Sequence, residues 1–138
     1  MGEVGQKAMS AAINDVGSAI SAINALTRIL IDSKPDDSIK VEETDFISIA
    51  MFDVKEFIYS TFAPIARDSM SNIELNQRMI KCLSMIQKNV EETELKSASE
   101  IMAIEILKRC ICKFEFEPDR QLLKDEFKQC FPHLELPV

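Results

Sequence analysis

Residues 8–31, AMSAAINDVGSAISAINALTRILI, carry only two ionised side chains, Asp15 and Arg28, in a protein of which 28% of the residues are charged. Within this stretch, mainly apolar residues recur at alternating spacings of three and four, which is the pattern of one buried helical face. They are Met9, Ile13, Val16, Ile20, Ile23, Thr27 and Leu30. The other positions are mostly Ala, Ser and Asn rather than the Lys and Glu of a water-facing surface. We therefore expect a helix that is covered on more than one side, by the rest of the domain or by a partner.

The remainder of the chain repeats the helical pattern four more times. Pro35 ends the first segment, Ser71 and Ser97 each precede a Glu by three residues as in a capping box, and Pro118 suits a first helical position. Only three glycines occur, all within the first 17 residues, so few turns are available for a β fold. The sequence predicts an all-α protein, a single compact bundle of about five helices with an extended C-terminal tail, over one domain, 1–138. The expected helices are about 5–32, 44–63, 71–92, 97–115 and 118–131.

The second segment has the widest apolar arc and is predicted to be the central core helix. Its apolar residues include Phe46, Ile47, Ile58 and Phe62, with Phe57 expected to be buried in the core. Pro64 is expected either to kink this helix or to open a short turn that follows it.

Four cysteines, Cys82, Cys110, Cys112 and Cys130, lie within apolar helical patterns rather than in turn-rich segments. A 138-residue core does not need disulfides, so we expect reduced, buried thiols. The alternative is a zinc or copper site that uses Cys110 or Cys112 with Cys130 and His133, although this spacing matches no standard zinc framework. No cofactor or metal site is predicted.

Catalytic motifs are absent from the sequence. The single histidine, His133, stands in a terminal segment that is a poor platform for a general base. Phosphate loops, nucleophile elbows and the Glu-x-x-His motifs of carboxylate-bridged metal bundles do not occur. We therefore expect a protein that is not an enzyme, with an enzyme whose site is not readable from motifs kept as an alternative.

The formal net charge is −7, and five acidic residues crowd the first long connection. They are Asp36, Asp37, Glu42, Glu43 and Asp45. Such a field repels nucleic acid. No apolar run approaches the 18 residues of a membrane span, and no secretory signal is visible, so the sequence predicts a cytoplasmic or otherwise intracellular protein without membrane contact.

These observations favour a non-enzymatic protein–protein interaction module, such as an adaptor, an inhibitor or an immunity-like acidic bundle. A small-molecule-binding helical sensor domain is the second reading. The expected partner is another protein, either a basic one or a second copy of the chain that pairs through the first helix as a homodimer. The candidate partner-binding residues are Ala12, Val16, Ala19, Ala22, Ile23, Asp36, Asp37, Glu42 and Glu43.

Overall fold

The computed structural model describes residues 15–32 and 54–137. Within them the chain forms five helices and no strand, followed by a tail that is not helical after Phe131. The helices are α1 (Val16–Asp32), α2 (Val54–Asp68), α3 (Ile73–Asn89), α4 (Thr93–Lys113) and α5 (Glu117–Cys130). The all-α bundle with an extended C-terminal tail is therefore confirmed.

Helices α3 and α4 form the centre of the bundle, because each packs against three other helices, and α3 does so against α1, α4 and α5. Helix α4 also contacts α2 and α5, so that α2 reaches the bundle mainly through α4. The core is formed by apolar side chains from all five helices, and the rings of Phe62, Phe127 and Phe131 are fully buried. The sequence predicts the second helix at the centre, but the structure gives that position to α3 and α4. Phe57, which was expected to be buried in the core, is only partly buried and packs against its edge.

Three buried hydroxyl groups inside the bundle are hydrogen-bonded to backbone carbonyls along and between helices. Thr27 Oγ1 donates to the carbonyl oxygen of Ile23 at 2.8 Å, and Ser99 Oγ donates to that of Leu95 at 2.7 Å. Ser84 Oγ donates to the carbonyl oxygen of Cys130 at 3.0 Å, which joins the middle of α3 to the end of α5. A buried hydroxyl without a partner would cost free energy, so these bonds let serine and threonine lie in the core.

The observed helix boundaries differ from the predicted ones at several places, of which three have a clear cause. Helix α2 continues through Pro64 to Asp68 instead of ending near residue 63. Helix α3 is capped by Asn72, whose Oδ1 accepts the amide hydrogen of Leu75 at 3.0 Å, and not by Ser71. Helix α4 already begins at Thr93, so the Ser97 to Glu100 motif lies inside the helix and is not its start.

Predicted boundaries that fall on residues 1–14 and 33–53 lie outside the described residues. These include the start of the first helix near residue 5 and the start of the second near residue 44. At the described start of α1, Asp15 accepts hydrogen bonds from the amide of Gly17 at 3.0 Å and from Ser18 Oγ at 2.6 Å. The Ser18 and Gly17 hydrogen bonds lower the pKa of the Asp15 carboxyl.

Candidate functional site

An apolar groove lies between α2 and α4 and has a volume of about 410 Å³. Successive turns of both helices contribute side chains to the groove, because residues three and four positions apart lie on the same face of a helix. The lining residues are Lys55, Glu56, Ile58 and Tyr59 from α2, and Ala98, Ile101, Met102 and Glu105 from α4. The groove therefore follows the line along which the two helices pack.

The lining residues divide into a buried floor and an exposed rim. Ile58, Ala98 and Met102 are buried and belong to the core. Tyr59 and Ile101 are 47% and 57% exposed, so their side chains stand at the rim. Because the floor is part of the core, the spacing between the two rim residues is fixed by the packing of α2 on α4.

Charges of both signs border the groove. Glu105 forms an ion pair with Arg109 one turn further along α4. Lys55 and Glu56 come from the first turn of α2, and both also interact elsewhere in the chain. The border thus carries mixed charge around an apolar interior.

Away from the groove, a polar cluster of His133, Glu100 and Gln87 joins the C-terminal tail to the bundle. His133 Nε2 lies 2.6 Å from Glu100 Oε1 on α4, and the same oxygen accepts a hydrogen bond from Gln87 Nε2 on α3 at 3.1 Å. The imidazole also meets the buried Phe131 ring edge-on, with 6.2 Å between ring centroids. Sequence reasoning considered His133 and Glu100 separately, and the structure brings them together as an anchor for the tail.

The four thiols are free, and three of them are buried. Burial raises the pKa of Cys110 to about 12 and also raises the pKa of Cys82 and Cys130. Cys112 is exposed, which corrects the expectation that all four are buried: it lies two positions from Cys110, on another side of the helix. Among the described residues, no three His, Cys, Asp or Glu side chains are arranged to hold a metal ion.

Four of the predicted partner-binding residues lie in α1, where they do not form one exposed surface. Ala19 and Ile23 are buried in the core of this chain, whereas Val16 and Ala22 are partly exposed. The seam that suggested a contact between chains packs against α3 instead. Five predicted residues lie outside the described part of the chain: Ala12, Asp36, Asp37, Glu42 and Glu43.

Sequence reasoning missed the groove, although a signal was present. The apolar pattern that follows Ser97 in the sequence includes Ala103, Cys110 and Phe114, and these residues are buried in the structure. A second apolar face, formed by Ala98, Ile101 and Met102 at spacings of three and four, points to α2. A helix with two apolar faces is expected to pack against two neighbouring helices. An interpretation that assigned only one buried face to this helix could not find the groove.

Comparison with protein families supplies the assignment that no motif could give. The family model described as "Predicted membrane protein (DUF2254)" matches residues 1–85, which is more than half of the chain. The chain belongs to the DUF2254 family. The match includes α1, α2 and most of α3, and with them the α2 side of the groove. No curated protein and no solved structure matches the chain significantly.

Membership of DUF2254 contradicts several sequence-based predictions. The protein was expected to be a cytoplasmic or otherwise intracellular interaction module or inhibitor without membrane contact. Membership of a family described as a predicted membrane protein overturns that function, that location and the exclusion of membrane contact. The family description also gives no support to a basic protein partner or to a homodimer. The search for an 18-residue apolar run tests only for a membrane span and carries no information on other modes of membrane association. In residues 15–32 and 54–137, every helix is too short or too polar to cross a bilayer.

Proposed function

We propose that this chain is a helical domain that works at a membrane, with its described helices on the aqueous side of the interface. The observation that carries the proposal is the DUF2254 match over residues 1–85. The matched helices share one core with α4 and α5. The proposal therefore applies to the whole helical bundle and not only to the matched residues.

The outer faces of the helices support the aqueous placement. Lys81 of α3 lies 3.6 Å from Glu126 of α5, and Lys124 and Arg120 lie 3.9 Å and 3.5 Å from Glu117. Such partly exposed ion pairs contribute little to stability. They do indicate faces in contact with water, because charged side chains facing hydrocarbon are costly.

The mode of association follows from the charge of the chain. Anionic lipid surfaces repel a domain of net charge −7, so electrostatic attraction does not favour binding. Association must therefore come from apolar contacts, which salt does not weaken.

Cell fractionation tests this function with the full chain. We expect the protein to sediment with membranes, to stay there in high salt and to be released by detergent. The matched measurement is flotation of the purified chain with phosphatidylcholine vesicles. Recovery of the full chain in the soluble fraction, together with no flotation, would contradict the proposed function.

A further inference from the structure

We propose that the groove between α2 and α4 is the surface through which this chain contacts the interface of a neutral, zwitterionic lipid bilayer. This inference rests on the proposed function and names the lipid-contacting surface and the lipid class. Its central residues are Tyr59 and Ile101.

The first argument is the position of the exposed apolar side chains. Tyr59 and Ile101 are the two strongly exposed large side chains that line the same groove. The other strongly exposed large apolar residues of the described chain are on different elements: Ile29 on α1, Met85 on α3, Phe116 before α5 and Leu122 on α5. Grouped apolar exposure marks interaction sites, whereas single exposed residues are ordinary.

The second argument is the chemistry of the two rim residues. A tyrosine ring has an apolar body and a polar hydroxyl, and such side chains are favoured at the boundary between lipid and water. Isoleucine has no polar atom, so its transfer towards the acyl chains is favourable. A hydroxyl beside an aliphatic side chain therefore suits the level at which headgroups meet hydrocarbon.

The third argument is charge. The groove border carries Lys55, Glu56 and the Glu105–Arg109 ion pair, so it has no excess of positive charge. Anionic membranes recruit proteins through clusters of Lys and Arg, and they repel an acidic chain. A mixed-sign border around an apolar interior is compatible with zwitterionic headgroups, which carry both signs themselves.

The absence of tryptophan from the sequence provides a direct probe of this surface. Ile101→Trp places the sole indole of the chain at the groove, and Leu122→Trp places it on α5 at a residue that is 47% exposed. With phosphatidylcholine vesicles, we expect a blue shift of the emission and quenching by brominated lipid for Ile101→Trp but not for Leu122→Trp. Addition of phosphatidylserine to the vesicles should weaken the blue shift at low salt.

Flotation of substituted chains measures the contribution of the rim. Ile101→Ser should lower the partition coefficient about tenfold, because about half of an isoleucine side chain loses its transfer to lipid. Tyr59→Ser should lower it similarly, whereas Met85→Ser on α3 should leave it unchanged. Circular dichroism should show unaltered helix content in all three variants, because each replaced side chain is about half exposed.

The outcomes separate this inference from the function on which it rests. If the wild-type chain floats with vesicles but Ile101→Ser floats equally well and the Ile101→Trp emission does not shift, the groove is not the lipid surface and the membrane function stands. Equal shifts for the two tryptophan variants would likewise overturn the groove. If the wild-type chain neither floats nor sediments with membranes, both proposals fail.

Discussion

Phenylalanine side chains occupy very different environments along this chain, and their burial determines what each contributes to stability. The Phe62 ring is fully buried, whereas Phe116 is 64% exposed. Phe62→Ala should lower the free energy of unfolding by about 3 to 5 kcal/mol, because it removes a large apolar group and leaves a cavity. Phe116→Ala should change it by less than about 0.5 kcal/mol. Urea denaturation compares the two, and equal losses would show that Phe62 is not a core residue.

Cys110 gives the protein a specific sensitivity to alkaline pH. Burial raises its pKa from the ordinary 9.0 to about 12, so above pH 9 the unfolded chain loses this proton while the folded chain keeps it. Stability from this group is fully present below pH 9 and is lost as the pH rises towards 12, by up to about 1.4 kcal/mol per pH unit. Cys110→Ala should be less stable at pH 7 but should show a shallower decline from pH 9 to 11. Parallel pH profiles for the two proteins in chemical denaturation would contradict this assignment.

At the scale of the element, the start of α3 can be tested for which of two neighbouring residues, Ser71 or Asn72, caps the helix. Asn72 Oδ1 accepts the Leu75 amide hydrogen, so Asn72→Ala should cost about 1 kcal/mol, the usual value of a helix N-cap. Ser71→Ala is the control and should be close to neutral, since Ser71 is exposed and Asn72 occupies the cap. Thermal or urea unfolding measures both. A larger loss for Ser71→Ala would restore the capping box that the sequence suggested.

A helix could be predicted from the sequence where its own apolar spacing determines it, but not where packing against other helices does. Leu75, Met79, Cys82 and Ile86 recur in the sequence at spacings of three and four, and all four are buried on one face of α3, because a repeated apolar spacing of this kind fixes which face of a helix is buried. The Ser97 motif misled because a capping box is only local, and four further residues from Thr93 continue the helix upstream. Of the two expectations for Pro64, the turn that follows it is wrong, because burial of Phe62, Ile65 and Ala66 on both sides of it holds α2 together despite the missing amide hydrogen. The α2–α4 groove depends on the pairing of two helices, which no single-helix pattern specifies.

Across the whole molecule, packing is unevenly distributed, and hydrogen exchange should reveal it. Helix α3 is covered by three helices, whereas α1 packs mainly on α3 within the described chain. Amides in the middle of α3 should exchange only through global unfolding, while those of α1 should exchange through a smaller opening and be less protected. Native-state exchange followed by NMR would measure this difference. Equal protection of α1 and α3 would mean that the bundle opens only as a single cooperative unit.

The central position of α3 has a consequence for how the protein is made. The side chains that close the core around it include Phe127 and Phe131, whose rings lie 5.3 Å apart and which are synthesised after all four preceding helices. While the ribosome is still translating α5, the apolar faces of α3 and α4 against which α5 packs remain open to solvent. Nascent chains with such exposed surface are prone to aggregate. The bundle must therefore complete its core after the emergence of residue 131, and until then the growing chain presents the kind of surface to which molecular chaperones bind.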